Sequence, residues 1–156
     1  MGVVGSSPSP SPSPSPILGR NPSDAGPIRG GMNEFEHERL DVYKAAIELL
    51  VLADAVAATL PRARGYLADQ LRRAASSISF NSAEGAGEFA SDEKARFYRM
   101  ARRSATESAA IFDACRVLSL TTEPSSQAGR ALLLRIVAML TPMVKKSGSG
   151  SGSGSG

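Results

Sequence analysis

The chain has no tryptophan, one cysteine and one histidine, and aromatic side chains make up only 5% of its 156 residues. A single cysteine excludes an internal disulfide. Cys115 sits among Ile111, Phe112, Ala114 and Leu118, the setting of a small buried thiol rather than of a nucleophile. A single histidine, His37, lies ahead of the first helical pattern, and no metal-ligand spacing accompanies it, so a His-based metal centre or nucleophile-base pair is not expected. No run of eighteen apolar residues is present, which argues against a membrane span. The first residues also lack a charged segment followed by an apolar one, so a signal peptide is not expected and a cytoplasmic location is. No stretch alternates with the period of a strand.

Low complexity occupies both ends. Ser-Pro repeats fill Ser7 to Pro16, and Gly-, Pro- and Asn-containing sequence continues to Gly31. Such composition gives an extended, solvated chain with no apolar stripe to bury. Residues 1–31 therefore read as a disordered arm, either native or preceding a natural start at Met32. Residues 147–156 are a pure Ser-Gly repeat that looks like an appended linker. Residues 32–146 are left as one domain of ordinary size. Eighteen basic residues against fifteen acidic ones give a net charge of +3, with a pI near 9.4. That balance permits nucleic-acid binding without demanding it.

Within the domain the period is helical throughout. A first helix is predicted over about 38–59, stopped by Pro61, with Leu40, Tyr43, Ile47 and Leu50 on one face and Val42, Ala46, Leu49, Ala53 and Val56 on another. Two apolar faces on one helix imply burial in a bundle and against something else. A second helix is predicted over about 64–86, closed by Gly85 and Gly87 through the left-handed conformation that glycine accepts. The third opens at Ser91 as N-cap, with Asp92 and Glu93 at the positive end of the dipole. The fourth follows Thr122-Glu123-Pro124 and should bend or end near Thr141, because Pro142 costs about 3 kcal/mol inside a helix. Four helices with short connections give an all-α, antiparallel up-down-up-down four-helix bundle.

A second pattern shares the period of the second helix. Gln70, Arg73, Ser77, Asn81 and Glu84 recur every three or four residues opposite the apolar stripe of Leu67, Leu71, Ala74 and Ile78. Small neutral polar groups at that spacing suggest packing on more than one side, with hydrogen bonds satisfied internally. Ser104 and Glu107 interrupt the third helix in the same way. Gln70, Arg73, Asn81, Glu84, Ser104 and Glu107 are thus the expected polar network between the second and third helices. An ordinary solvated groove and a carboxylate pair with a ligand or catalytic role are the competing readings.

The segments Leu40-Asp41-Val42-Tyr43, Gln70-Leu71-Arg72-Arg73-Ala74-Ala75, Ser77-Ile78, Asn81, Ala83-Glu84-Gly85, Phe97, Ala101-Arg102, Ser104 and Glu107 resemble the four-helix-bundle proteins encoded in intervening sequences of large-subunit ribosomal RNA genes. The similarity runs through residues 32–146. It implies a cytoplasmic homopentamer, a closed barrel of bundles, with no established enzymatic activity. The accessory variability protein of diversity-generating retroelements is similar to the same family, and that relative binds RNA and a reverse transcriptase through a basic surface. Three positions depart from the family pattern. Ser79 stands where proline is usual, Ser82 where an apolar residue is usual, and Glu88 where a basic residue often follows the Glu-Gly-x-Gly turn.

Three function classes follow. An enzyme is not expected: Gly85-Ala86-Gly87 lacks the Lys-Ser/Thr of a phosphate-cradling loop, and neither a cofactor nor a small-molecule substrate is implied. A binding module for RNA or an RNA-associated protein is suggested by Arg72, Arg73, Arg96, Arg99, Arg102 and Arg103, since guanidinium groups suit phosphate recognition. Tyr66 and Tyr98 could stack on bases or serve as core or interface anchors. The alternative is a self-assembling scaffold that binds no nucleic acid, its arginines forming solvated helix faces.

Overall fold

The computed structural model describes residues 2, 5 and 34–149. The expected arm over 1–31, apart from Gly2 and Gly5, and the tail from residue 150 onward lie outside the described residues. Residues 34–149 belong to one compact unit. Its elements are a short 3-10 turn, Glu36–Arg39, and four α-helices: α1 Asp41–Thr59, α2 Gly65–Gly87, α3 Ser91–Val117 and α4 Glu123–Gly148. A second 3-10 turn, Arg62–Arg64, leads into α2. No strand occurs among the described residues.

Packing is cyclic: α1 lies against α2 and α4, and α3 against α2 and α4. The result is a four-helix bundle. Its core is built from Val42, Leu49 and Val56 of α1, Leu71 and Ile78 of α2, Phe112 and Cys115 of α3, and Leu133, Ile136 and Leu140 of α4. Many of the remaining core positions are alanine, among them Ala46, Ala53, Ala75, Ala101 and Ala105, each fully buried. Alanine adds little volume but strong helix propensity, so helices this rich in it can approach closely.

Helix ends follow local chemistry, with three corrections to the sequence reading. Leu60, ahead of Pro61, is extended at ψ 141, the conformation a following proline imposes, and α1 stops there. The N-cap of α3 is Ala90, not Ser91, and no side chain caps the helix directly. The Glu88 carboxylate instead accepts the N–H groups of Phe89 at 2.9 Å and Ala90 at 3.0 Å. No described glycine has a positive φ, so Gly85 and Gly87 do not end α2 in the left-handed way expected. Gly85 is buried inside the helix, and a Cβ there would meet Cε1 of Tyr98 at 2.6 Å.

The left-handed residue is Ser119, at φ 55. It closes α3 with two reverse bonds: Ser119 N–H donates to Arg116 O at 3.0 Å and Leu120 N–H to Cys115 O at 2.8 Å. The N-cap of α4 is Thr122, whose hydroxyl accepts Ser125 N–H, with Pro124 in the first turn as expected. Contrary to expectation, α4 does not end near Thr141 but continues through Pro142 to Gly148, taking in the first residues of the Ser-Gly run. Both Pro142 and Ala138, whose carbonyl loses the proline's missing donor, are exposed, so that carbonyl stays open to solvent. By length and apolar composition alone α4 also qualifies as a candidate membrane span, with 22% of its most apolar stretch buried within the bundle.

Candidate functional site: the α2–α3 polar seam and the arginine face of α3

Where α2 meets α3, the polar stripe converges on Ser77. Ser104 Oγ donates to Ser77 Oγ across the seam at 2.9 Å, and Asn81 Nδ2 donates to Ser77 Oγ and to Ser77 O, each at 2.9 Å. Asn81 and Ser104 are therefore brought together, with Ser77 as the shared acceptor. Gln70, Arg73, Glu84 and Glu107 lie exposed on the single chain, with no side-chain hydrogen bond to this trio. Ser77 stands on the periodic polar stripe one turn from Asn81, but the expected network does not include this shared acceptor.

The deeper hydroxyls are satisfied locally. Ser82 donates to Ile78 O at 2.7 Å and Ser108 to Ser104 O at 2.9 Å, so each hydroxyl bonds its own helix one turn back. This is how α2 and α3 bury serine without a cross-helix partner. Ser79, where the related bundles usually carry proline, is fully buried, and its Oγ has no partner among the described residues. A buried, unpaired hydroxyl costs about 1–3 kcal/mol.

The arginines divide into two sets. Arg72 donates from Nε to Asp54 Oδ1 of α1 at 2.8 Å, and Arg96 pairs with Glu93 at 3.1 Å. Both pairs are well exposed to solvent, and such pairs are worth no more than about 1 kcal/mol. Arg99, Arg102 and Arg103 make no ion pair among the described residues. Together with Arg96, Met100, Thr106 and Glu107 they line a broad groove on α3. Arg73 lies on α2, beside Arg72, Phe80 and Asn81, in a separate shallow groove. Phe80, 65% exposed on α2, was not singled out by the sequence pattern.

The remaining titratable and aromatic groups have structural surroundings. Burial pushes the Cys115 thiol above its ordinary value, disfavouring the reactive thiolate. Burial likewise raises the Tyr98 phenol, whose ring covers Gly85 and is thus a core anchor rather than a stacking platform. Tyr66 is exposed and its hydroxyl accepts from Arg64. The ring of His37 stacks on Phe35 and meets Tyr43 edge-on, with centroids 5.6 and 4.6 Å away. No cluster of three or more His, Cys, Asp or Glu side chains able to hold a metal occurs among the described residues.

A bundle whose α2 carries the Gln-Leu-Arg-Arg-Ala-Ala to Glu-Gly block, joined to α3 through Ser104, matches a known family. Residues 38–142 align with the 23S rRNA-intervening sequence protein family. The chain belongs to that family. The match spans nearly the whole bundle, from within the first 3-10 turn to Pro142 of α4. No curated protein matches the chain closely enough to report beside it.

Proposed function

We propose that this protein of the 23S rRNA-intervening sequence family is a non-enzymatic, homo-oligomeric adaptor whose arginine face contacts RNA or an RNA-associated protein. The carrying observation is the α3 groove, where Arg99, Arg102 and Arg103 share one helix face and make no ion pair among the described residues. Guanidinium groups not committed to internal pairs are available to phosphate oxygens, which they bind bidentately. Arg72 and Arg96, held by Asp54 and Glu93, contribute less in this reading.

The protomer in this proposal is an antiparallel up-down-up-down bundle. Two contacts support it: Ser77 meets Ser104 and Gly85 meets Tyr98, so advancing along α2 means retreating along α3. Assembly into a closed ring, a pentamer as the family resemblance implies, is supported by the outer face of α1. There Ile47, Val51, Ala55 and Ala58 form an exposed apolar stripe at helical spacing, with Val51 68% exposed. Burying one such large side chain is worth about 1.5–3 kcal/mol. The same reading locates the protein in the cytoplasm, where its one buried thiol needs no disulfide partner. It assigns no catalytic role to His37, whose ring is engaged by Phe35 and Tyr43.

A scaffold without nucleic-acid binding is the second reading, favoured by Glu107 within the groove and by a net charge of only +3. RNA binding across a salt series separates the two. Phosphate contact predicts a fall in log affinity with log salt of about 0.7 per neutralised phosphate on single strands. A variant with Arg99, Arg102 and Arg103 changed to Gln should bind more weakly and with a shallower slope. Equal binding by parent and variant, or none at low salt, favours the scaffold.

A further inference from the structure

Phe89, in the short connection between α2 and α3, is 99% exposed. The backbone that carries it is held in place. The Glu88 carboxylate accepts the N–H of Phe89 at 2.9 Å and of Ala90 at 3.0 Å, fixing the backbone that presents the ring. Elsewhere on the bundle, α3 and α4 part to leave an apolar cavity of about 160 Å³. Its apolar lining is Ala105, Ala109, Phe112, Leu133, Leu134 and Val137, with Thr106, Asp113, Ser126 and Arg130 beside them, and Leu134 is 59% exposed. A dry cavity of about 150 Å³ is the size that admits a benzene ring.

The ring cannot fill the cavity of its own chain. Phe89 precedes the first residue of α3, whereas Ala109 lies eighteen residues into that helix, about 27 Å along its axis. The charges around the two features are complementary. Of the carboxylates flanking Phe89, Glu88 accepts the N–H groups of the turn, Glu93 pairs with Arg96, and Asp92 makes no ion pair among the described residues. Arg130 stands at the cavity mouth, and Thr106 joins that mouth to the groove of Arg99, Arg102 and Arg103. Asp113 and Glu107 oppose five arginines there, Arg96 being paired with Glu93, which leaves the surround basic.

We infer that Phe89 of one copy of this chain inserts into the α3–α4 cavity of a second copy, with Asp92 beside the ring facing Arg130 at the cavity and Arg99, Arg102 and Arg103 left free. The inference rests on the self-association proposed above and adds to the apolar α1 face an aromatic anchor without which the assembly does not hold. Knob and cavity occupy different parts of the surface, so the contact is heterologous. Repeated around an axis it closes a ring, including one with an odd number of subunits, which a self-complementary contact cannot do alone.

Light scattering on three full-length chains tests this: the parent, Phe89→Ala, and Ala109→Trp, which fills the cavity from within. Phe89 is outside the core and Ala109 only half-buried, and matching thermal melts confirm that each variant folds. Loss of a buried aromatic anchor should weaken each contact about thirtyfold or more, so both variants run as single chains where the parent is assembled. Mixed in equal amounts they should recover a two-chain species and no larger one, because only one knob and one cavity stay intact between them. An assembled Phe89→Ala chain overturns the inference while leaving self-association standing. A mixture that fails to pair also overturns it. A parent that is itself a single chain overturns self-association and this contact together.

Discussion

The two seams that α3 makes are built from opposite materials. Against α2 it offers Ser104 and Tyr98, and meets Ser77, Asn81 and Gly85. Against α4 it offers Phe112, and meets Gly129 and Leu133. Each seam seats an aromatic ring on a glycine: a Cβ at Gly129 would approach Phe112 Cε1 to 2.8 Å, much as one at Gly85 would approach Tyr98. The polar seam adds directional bonds that hold one register, while the apolar seam relies on buried area and leaves a cavity at its edge. Hydrogen bonds net only about 0.5–1.5 kcal/mol each, whereas a buried aromatic side chain is worth several times that. Both seams should therefore draw their stability mainly from buried side chains, Tyr98 in one and Phe112 in the other, while the hydrogen bonds add specificity of pairing to the α2–α3 seam.

The largest expected effect comes from emptying the apolar seam. Phe112→Ala should cost about 3–5 kcal/mol in chemical denaturation, since Phe112 is buried beside a cavity that its loss would enlarge. Next comes Gly85→Ala, which forces a methyl into the Tyr98 ring and should cost about 1–3 kcal/mol relative to Gly87→Ala. Gly87 lies in the same helix with nothing within 4 Å of its would-be Cβ, so the pair separates the steric clash from helix propensity. The smallest effect is that of Ser77→Ala, about 0.5–1.5 kcal/mol, and a double-mutant cycle with Ser104→Ala should show the two serines coupled. If Ser77→Ala proves as damaging as Phe112→Ala, the division of labour between buried side chains and hydrogen bonds is wrong.

Much of this was legible in the residues because helical period is a strong signal. The existence of α1 to α4, the stop at Pro61 and the place of Pro124 in the first turn of α4 all follow from periodicity and local chemistry. What escaped the sequence depended on neighbours in space. Gly85 reads as a helix stop until Tyr98 is known to lie on it, and Ser119 gives no hint of a left-handed cap. Pro142 reads as a terminator because its cost is local, whereas the exposure that leaves the Ala138 carbonyl open to solvent is a property of the packed bundle. The polar stripe was visible, but exposure split it: Asn81 and Ser104 converge on Ser77, and Gln70, Arg73, Glu84 and Glu107 face outward on the single chain. The α3–α4 cavity had no signature at all, being a gap between alanines rather than a motif.

Self-association is the claim on which the ring, the adaptor role and the Phe89 contact all depend. Its most direct test is the mass of the parent chain in solution, measured by light scattering behind size-exclusion chromatography at micromolar concentration. The account predicts a closed assembly, and for a pentamer a mass of about 81 kDa, five times the 16.2 kDa chain. A single species at 16.2 kDa would contradict it.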